Sequence, residues 1–316
     1  MTRVVVLQGG RSSEHEVSLA SAESVVAALR ERGHEVGTVE LARGANWLPD
    51  EATATAIAAA EVVFPVLHGP FGEDGSVQGL LELAGAAYVG AGVTASALCM
   101  DKDLFKCVLR DHEIPVTRNI TLRSGDAAVN PFGYPVFVKP ARLGSSVGIS
   151  KAHDEDELRA AVALAFEHDE KVLVEEFVSG IEAEVGVLGN DDPTVSLPGQ
   201  IIVTSNEWYD YAAKYDEGEM ELVVPPKISA AQVSRVRELA LRAFVAAECE
   251  GMARADMFVR DDGEVLVNEL NTIPGFTSTS VYAKLFEASG LPYGELLERL
   301  IALALERHER RRSLRY

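Results

Sequence analysis

The segment ARADMFVRDDGEVLVNELNT, residues 253–272, constrains the fold more than any other stretch of this chain. Asp262-Gly263 lies between two runs of alternating apolar residues, which is the strongest short-range signal for a β-hairpin with a two-residue turn. In that register, two pairs of polar residues face each other: Asp256 with Glu269, and Arg254 with Asn271. We therefore expect an antiparallel strand pair that carries a cluster of charged and polar side chains.

Asp256, Glu269 and Asn271 should share one face of this hairpin, because residues two apart on a strand point the same way and opposed residues are close. Two carboxylates set opposite each other destabilise a hairpin unless a cation lies between them. Carboxylate and amide oxygens with positions left open for phosphates are typical of a magnesium site. The alternative is that the acids simply face solvent. The following loop, TIPGFTSTS, favours the magnesium site, because glycine and small hydroxyl residues can present backbone donors to an anion.

A magnesium site of this kind needs phosphates, and three lysines are candidates for binding them. Lys102 lies in CMDKDLFK, Lys139 ends the strand pattern YPVFVK, and Lys214 lies in a segment without apolar periodicity. Each lysine taken alone is more often a surface residue. The loop ARLGSSVG after Lys139 favours phosphate binding, because glycine and serine let backbone N–H groups approach phosphate oxygens closely. It is not a Walker loop, since no Gly-Lys-Ser/Thr follows it.

The order of predicted elements indicates an α/β fold that becomes α+β in its later parts. RVVVLQGG, a helix pattern and EVGTVEL form a βαβ unit, which predicts an open α/β domain over residues 1–94. Paired strands dominate after it, so a second region is expected over 95–180 and a third over 181–316. Residues from about 205 to 220 lack an apolar period and should form a long mobile loop.

The charge balance excludes some partners. The chain of 316 residues has 49 Asp and Glu against 29 Lys and Arg, a formal net charge of −20, and such a surface repels nucleic acid. The apolar run in MTRVVVLQGG is too short for a secretory signal. No apolar run elsewhere in the sequence is long enough to span a bilayer. We therefore expect a cytoplasmic protein that binds no membrane. The basic end RHERRRSLRY is expected to be a solvated helix end followed by a frayed tail.

Six segments, in order and over nearly the whole chain, resemble the motif set of the D-alanine:D-alanine ligases of the ATP-grasp superfamily. They are GGRSSEHEVSL, LHGPFGEDGSVQG, KPARLGSSVGISK, EWYDYAAKY, RADMF and NELNTIPGFTSTS. One such motif would be weak evidence, whereas six in sequence are specific. The resemblance implies an ATP-grasp architecture, in which the N-terminal open α/β domain is followed by two α+β subdomains that enclose ATP.

The resemblance also implies the reaction and its cofactors. ATP would phosphorylate the carboxylate of one D-alanine, and the amine of a second D-alanine would attack the acyl phosphate to give the dipeptide used in peptidoglycan. Asp256, Glu269 and Asn271 would bind two magnesium ions, for which manganese could substitute. The residues implied in binding the nucleotide are Lys102, Lys139, Ser146, Glu175, Phe177, Val178, Glu182 and Lys214.

Within that nucleotide set, the lysines would contact the phosphates and Glu182 the ribose. Phe177 would pack against the adenine, while Glu175 and the backbone of Val178 would contact its edge. Glu176 departs from many relatives, which have a lysine at this position. A side-chain contact from residue 176 is therefore in doubt, although a backbone contact is not.

A second set of residues would act on D-alanine. Glu14 would hold the ammonium group of the first D-alanine, although a carboxylate at a helix N-terminus is also what the helix dipole favours. Ser145 and Tyr215 would hydrogen-bond to Glu14 and so connect the glycine-serine loop and the mobile loop to the first domain. Such a connection could exclude water while the acyl phosphate exists.

The remaining members of the D-alanine set lie near the predicted metal site. Arg254 and the N–H of Gly275 would stabilise the tetrahedral intermediate, and Ser280 would bind the carboxylate of the second D-alanine. His68 would contact substrate or assist a proton transfer, although a lone histidine at a strand end is usually structural. Val281 and Ala283 stand where many relatives have methionine and proline, which should leave Ser280 in place.

The sequence is compatible with two other functions. A ligase with D-lactate or D-serine as acceptor is one of them, and Tyr215 argues against D-lactate because D-lactate-using relatives carry phenylalanine there. A nucleotide-binding regulator without turnover is the other, and the presence of Arg254, Glu14 and the metal ligands argues against it. The resemblance also implies a homodimer.

Overall fold

The computed structural model describes residues 1–44, 49–203 and 220–315, which form three sheets with helices packed against them. The predicted fold class is confirmed, because a parallel sheet with helices comes first and two antiparallel sheets follow. The predicted mobile loop lies almost entirely outside the described residues. Among the described helices, none combines the length and the apolar character needed to cross a bilayer.

The N-terminal part is a parallel sheet in the order β2-β1-β3. Its elements are β1 (Arg3–Gly9), α1 (His15–Glu31), β2 (Glu35–Leu41), α2 (Glu51–Ala59), β3 (Val62–Pro65) and α3 (Ser76–Leu83). The run RVVVL is apolar throughout because both faces of β1 are covered. Val4 and Val6 pack with α1 and with helices from the C-terminal end of the chain, while Val5 and Leu7 pack with α2 and α3.

The central part is an antiparallel sheet in the order β4-β7-β5-β6. Its elements, with the two helices before them, are α4 (Val93–Met100), α5 (Lys102–Asp111), β4 (Asn119–Arg123), β5 (Val136–Pro140), β6 (Ser150–Ala152), α6 (Glu155–Phe166) and β7 (Lys171–Glu176). Helix α6 begins where the Asp154 carboxylate accepts the N–H groups of Asp156 and Glu157, as is typical of an N-cap. It covers one face of the sheet and leaves the other for the cleft described below.

The third part is an antiparallel sheet in the order β11-β10-β8-β12-β13, with β9 paired to β8. Its elements are β8 (Gly180–Gly189), β9 (Thr194–Val195), β10 (Gly199–Val203), β11 (Met220–Val223), α7 (Ala230–Ala246), β12 (Gly251–Arg260), β13 (Val265–Asn271), α8 (Val281–Ala288) and α9 (Tyr293–Arg312). Side chains of β12 alternate: Ala255 and Met257 are buried in the core with α7, whereas Arg254, Asp256 and Phe258 are only partly buried. The strand therefore has one face free to line a site.

The predicted hairpin is present as β12 and β13, but the prediction of a two-residue turn is wrong. The Arg260 N–H donates to the Glu264 carbonyl over 2.8 Å, and the Gly263 N–H donates to the Arg260 carbonyl over 2.9 Å. These bonds enclose a three-residue loop, 261–263, in which Gly263 has a φ of +94°. Glycine adopts this left-handed conformation without steric cost, which is why it stands at the end of such a loop.

A bulge in β13 compensates for the longer loop. The pairing shifts between Asp256 opposite Glu269 and Met257 opposite Val267, so Asn268 is an extra residue in β13. The additional residue in the loop shifts the pairing by one residue, and the additional residue at the bulge shifts it back. The predicted pairs at the site, Asp256 with Glu269 and Arg254 with Asn271, are therefore found although the predicted turn is not.

The expectation of a solvated helix end is wrong for the basic end of α9, whereas residues 313–315, where a frayed tail was expected, are exposed. Arg307 is only 3% exposed, and its guanidinium donates to the carbonyls of Tyr88 and Gly90 and lies 4.3 Å from the Tyr88 ring centre. Arg310 and Arg311 both pair with Glu250, the residue before β12. The end of α9 is therefore anchored to the first and third parts of the fold.

Candidate active site

A cleft between the central and third sheets contains every described residue that the sequence predicted to bind nucleotide or metal, except Asn271. The cleft is lined by Lys102, Lys139, Ser146, Glu175, Phe177, Val178, Glu182, Asp256 and Glu269. Asn271 lies beside Glu269 in a small adjoining cavity. Lys214 falls outside the described residues. The cleft thus combines side chains from β5, β7, β12, β13, the start of α5 and the glycine-serine loop.

Asp256, Glu269 and Asn271 meet at one corner of the cleft. The Asn271 side-chain amide donates to an Asp256 oxygen over 2.9 Å, and Asp256 faces Glu269 across the strand pair. Arg254 binds the Asp256 carboxylate with two nitrogens at 2.7 Å and lies 2.8 Å from a Glu184 oxygen. The predicted convergence of the three oxygen-bearing side chains is therefore present.

The donor chemistry of this corner decides which kind of cation fits. Within the described residues, no group of three or more His, Cys, Asp or Glu could hold a metal ion. Asp256 and Glu269 offer two partly exposed carboxylates, and Asn271 could turn its amide to offer an oxygen. Such a set leaves positions open for phosphates and water, as Mg²⁺ requires. These residues fit a cation whose coordination shell is completed by phosphates, and not a cation that is bound by protein ligands alone.

Lys102 connects this corner to the glycine-serine loop. It is the first residue of α5, next to Asp101, whose carboxylate accepts the Leu104 N–H as the helix N-cap. Its ammonium donates to the Leu143 carbonyl over 2.9 Å and lies 3.4 Å from Glu269. The predicted phosphate-binding lysine therefore lies beside the predicted metal ligands.

Lys139 also lines the cleft and is paired with Glu175. Its ammonium lies 2.6 Å from one Glu175 oxygen and 3.3 Å from the Asn268 side-chain oxygen. Burial acts to raise the pKa of Glu175, but the ammonium groups of Lys106 and Lys139 outweigh it and hold the pKa below its usual value. The carboxylate predicted to contact the adenine edge is thus ionised and bound to two lysines.

The far end of the cleft is apolar and carries Phe177, which is 42% exposed. The Phe137 ring centre lies 6.3 Å from the Phe177 ring centre. The Lys151 ammonium lies 4.8 Å from the Phe177 ring centre. An exposed aromatic face is suited to stack on a base.

The sequence left the role of Glu176 in doubt. Its carboxylate accepts the backbone N–H of Arg118 at 2.9 Å and the side-chain Nε–H of Arg118 at 2.8 Å.

The glycine-serine loop reaches from the cleft to the N-terminal part. The Ser145 hydroxyl donates to a Glu14 carboxylate oxygen, so the predicted hydrogen bond between the two is present. Ser145 and Ser146 have φ values of +49° and +58°, a conformation that non-glycine residues adopt at a cost. The other predicted partner of Glu14, Tyr215, lies outside the described residues.

Glu14 is 7% exposed and lies at the N-cap position of α1, where its side chain makes no capping hydrogen bond. The carboxylate therefore does not cap the helix, and the interpretation through the helix dipole stays a prediction. A Cβ on Gly69 would lie 2.5 Å from the other Glu14 oxygen, and Gly69 has a φ of +71°, which favours glycine at this position. Glu14 is held between that loop and Ser145.

The loop after β13 presents Gly275 and Ser280 together. The Ser280 hydroxyl accepts the Thr277 N–H over 3.0 Å, and a Cβ on Gly275 would lie 3.3 Å from that hydroxyl oxygen. Ser280 is also the N-cap residue of α8. The backbone donor and the hydroxyl predicted to contact the intermediate and the second D-alanine are therefore neighbours.

His68 is buried and contacts this loop from the other side. Its Nδ1 lies 2.9 Å from the Ile273 carbonyl, so Nδ1 carries the proton and Nε2 does not. Burial lowers the pKa of His68, which leaves the ring neutral. Nε2 has no partner in the described part of the chain. The structural interpretation of this histidine is thus supported, and a contact to substrate stays a prediction.

Sequence reasoning missed four polar residues of this region: Glu73, Lys106, Glu184 and Asn268. Lys106 and Glu184 are buried ionic residues in otherwise apolar patterns, which was the available signal. Asn268 faces the cleft because of the bulge in β13, and a bulge has no signal in the sequence alone. Glu73 lies in the motif LHGPFGEDGSVQG but at a position to which no role was given.

Glu73 joins the loop after β3 to the loop after β13. Its two oxygens accept the N–H groups of Gly69 and Ile273 at 2.7 and 3.0 Å. Burial and then the nearby Glu14 raise the pKa of Glu73 to about 8, against the effect of its two N–H donors. A carboxyl with a raised pKa binds its proton more tightly in the folded state, so stability falls as pH rises from about 4.5 towards about 8.

We expect Glu73→Gln to remove this part of the pH dependence. Because one unit of pKa corresponds to about 1.4 kcal/mol, wild type should lose about 2 to 3 kcal/mol of stability relative to the variant between pH 5.5 and 7.5. Urea unfolding of both proteins at the two pH values measures the difference. Glu31→Gln, at an exposed position of α1, is the control and should show no such change. Parallel curves for wild type and Glu73→Gln would contradict the prediction.

Comparison with known proteins shows which family this chain resembles. Residues 108–302 match the family model described as D-ala D-ala ligase C-terminus, and residues 3–60 and 49–91 match the model described as D-ala D-ala ligase N-terminus. A D-alanine–D-alanine ligase from Solibacter usitatus is 46% identical, with 99% of this chain and 98% of that protein covered.

Solved structures with the same fold include ligases of two kinds. The D-alanine-D-alanine ligase from Coxiella burnetii superposes with a TM-score of 0.87 at 36% identity, covering 98% of this chain and 96% of that one. The Bacillus anthracis enzyme, solved as a complex with ATP, gives 0.83 at 28% identity, covering 98% and 100%. A D-Ala:D-Ser ligase from Enterococcus faecalis gives 0.83 at 34% identity, covering 96% and 99%.

Proposed function

Because this chain belongs to the D-alanine–D-alanine ligase family, it joins two D-alanine molecules with the use of ATP, and we propose that the cleft described above is where it does so. The fold is that of the ATP-grasp enzymes. The dipeptide serves peptidoglycan precursor synthesis. The observation that carries the assignment of the site is the meeting of two lysines, two carboxylates and the Glu14–Ser145 bond around one cleft.

In this proposal the ATP phosphates lie between Lys102, Lys139 and the oxygens of Asp256, Glu269 and Asn271. Two Mg²⁺ ions, or Mn²⁺ in their place, would neutralise the phosphates and favour transfer of the γ-phosphoryl group. The chain has a formal net charge of −20, so binding a polyphosphate depends on the local field of these lysines and not on the field of the whole protein.

The nucleoside would lie towards the apolar end of the cleft. Phe177 would stack on the adenine and the backbone of Val178 would contact its edge, while Glu182 would bind the ribose. Ser146 would contribute from the glycine-serine loop, and Lys214 would contact the phosphates. Because the Glu175 carboxylate is bound to Lys106 and Lys139, we expect its contribution at the adenine edge to come mainly from its backbone.

The first D-alanine would lie between the glycine-serine loop and the N-terminal part. Glu14, fixed by Ser145, would hold its ammonium group, and Tyr215 would add a second bond to Glu14. One carboxylate oxygen of this D-alanine would attack the γ-phosphorus, which breaks the bond from that phosphorus to ADP and gives an acyl phosphate. His68, neutral and buried beside this region, would contact the substrate or accept a proton through Nε2.

The second D-alanine would be bound through its carboxylate by Ser280. Its amine, after losing a proton, would attack the acyl carbon, and Arg254 with the N–H of Gly275 would stabilise the oxygen on which charge develops. Collapse of that intermediate breaks the bond from carbon to the phosphate oxygen and releases phosphate with the dipeptide. Phosphate therefore leaves with an oxygen that belonged to the first D-alanine.

Three further parts of the proposal are supported by the family resemblance. The division into residues 1–94, 95–180 and 181–316 would separate a substrate domain from two subdomains that enclose ATP. A homodimer and a cytoplasmic location are expected in the same way. The acidic surface supports the expectation that nucleic acid is not a partner.

A product assay tests the proposed function and its acceptor. Purified protein with ATP and Mg²⁺ should release ADP when D-alanine is added, and the product mass should be that of D-alanyl-D-alanine. Mixtures of D-alanine with D-serine or D-lactate test the alternative acceptors, of which D-serine is the acceptor named for the Enterococcus faecalis neighbour. L-Alanine is the negative control. Failure of D-alanine to stimulate ADP release would overturn the proposal in favour of a regulator without turnover.

A further inference from the structure

Lys106 is a buried cation directly behind the cleft. It lies one helical turn after Lys102 on α5, on the same face as Phe105 and Leu109, and its side chain is 0% exposed. It is not among the described residues that line the cleft. A lysine is almost never fully buried unless it is paired, so its partners should show why it is there.

The ammonium of Lys106 donates to the Thr117 hydroxyl and to one oxygen of the Glu175 carboxylate. The other Glu175 oxygen lies 2.6 Å from the Lys139 ammonium. Glu175 itself is 4% exposed. A single carboxylate is therefore held between two lysines, one that faces the cleft and one behind it.

The charges of this group determine what Lys139 presents to a nucleotide. Burial lowers the pKa of Lys106 to about 8, against the effect of Glu175, so Lys106 stays protonated at pH 7. Two ammonium groups and one carboxylate leave one positive charge. Without Lys106, the Glu175 carboxylate would neutralise Lys139 at 2.6 Å, and no net charge would remain.

We propose that Lys106 is a positioning residue for ATP: it binds and neutralises Glu175, so that Lys139 is fixed at the cleft and its positive charge stays available to the phosphates. This inference rests on the proposed binding of phosphates by Lys139. It assigns no contact between Lys106 and ATP. The residue acts only through Glu175.

Affinity for nucleotides tests the inference without requiring turnover. In Lys106→Met the side chain keeps its approximate length and loses its charge, and we expect the Kd for ATP to rise about 10-fold or more. The Kd for adenosine, which has no phosphate, should change less than about 2-fold. A residue needed only for packing would weaken both ligands alike, and that result, or an unchanged Kd for ATP, would overturn the inference.

Two further variants extend the test, and the first of them stays decisive if Lys106→Met folds poorly. Thr117→Val removes one acceptor of Lys106 but keeps its charge, and should raise the Kd for ATP about 3-fold with adenosine unaffected. The double variant Lys106→Met/Glu175→Gln removes both opposite charges, and so should bind ATP more tightly than Lys106→Met alone. A double variant that binds ATP no better than the single one would contradict the charge argument.

These outcomes are separable from those of the proposed function. Wild-type protein that binds ATP but makes no dipeptide would refute the ligase assignment, whereas the ATP and adenosine affinities of the variants would still decide the role of Lys106. Wild-type protein that makes dipeptide, with Lys106→Met unchanged in its Kd for ATP, would refute the role of Lys106 alone.

Discussion

Replacing Glu269 with glutamine should lower kcat about 10³-fold, with little change in Tm. Glu269 is partly exposed at the cleft corner opposite Asp256, so its carboxylate contributes little to the core. As a metal ligand it would act mainly on the charge that develops during phosphoryl transfer, and the loss of one such electrostatic contact typically costs 10² to 10³ in rate. Steady-state ADP release at saturating ATP, D-alanine and Mg²⁺ measures kcat.

Glu264→Gln is the matched control for this variant. Glu264 lies just before β13 on the same hairpin, but it is exposed and faces Arg260. Its replacement should leave kcat within about 2-fold of wild type, as is usual for surface substitutions. Full activity in Glu269→Gln would remove Glu269 from the metal site, and a large fall in Tm would show that its role is in folding.

Replacing Arg307 with methionine should destabilise the protein by about 3 kcal/mol or more. Arg307 is 3% exposed, and its guanidinium donates to two backbone carbonyls, those of Tyr88 and Gly90. Methionine has similar bulk and no donor, so both carbonyls would lose their partner in a buried site. Each buried polar group left without a partner costs about 1 to 3 kcal/mol. The decrease in the free energy of unfolding can be measured by urea titration.

Arg310→Met is the control for Arg307→Met. The Arg310 side chain is 37% exposed and pairs with Asp191 and Glu250. An ion pair exposed to this degree contributes about 1 kcal/mol or less, because solvent screens it. Equal losses of stability in the two variants would show that charge at the end of α9, and not the buried contacts of Arg307, is what matters.

The sequence predicted the correct residue pairs at the site because two differences between the predicted and the observed hairpin cancel. Asp262-Gly263 indicated a hairpin, but the chain forms a three-residue loop ending in Gly263 and then a bulge at Asn268. Two-residue and three-residue loops are both common in β-hairpins, and Asp262-Gly263 is compatible with either. The facing of Asp256 and Glu269 was therefore predictable, whereas the exposure of Asn268 to the cleft was not.

Charge alone misled the interpretation of the C-terminal segment. RHERRRSLRY has the composition of a solvated helix end, and the pattern contains no sign that Arg307 is buried. Its partners are backbone carbonyls of Tyr88 and Gly90, far away in the chain. Contacts to backbone groups cannot be predicted from amino-acid composition, because every residue has a carbonyl. The same limit applies to Lys106, whose partners Thr117 and Glu175 become neighbours only when the central sheet forms.

The fold and most of the residues that line the cleft were predictable from motifs, because glycine-rich loops and hydrophobic periodicity encode backbone geometry locally. What the motifs could not supply is the pairing among charged side chains. Glu175 was expected to contact adenine, and the motifs did not indicate that its carboxylate is bound to two lysines. Glu73 was given no role, yet it joins two loops of the site through the N–H groups of Gly69 and Ile273.

In the proposed reaction, the carboxylate of one D-alanine becomes an acyl phosphate before the second D-alanine attacks it. D-Alanine labelled with ¹⁸O at both carboxylate oxygens tests this directly, by mass spectrometry of the phosphate and the dipeptide after turnover with unlabelled ATP. One ¹⁸O should appear in each phosphate released, and three should remain in each dipeptide. Phosphate free of ¹⁸O would show that no acyl phosphate forms.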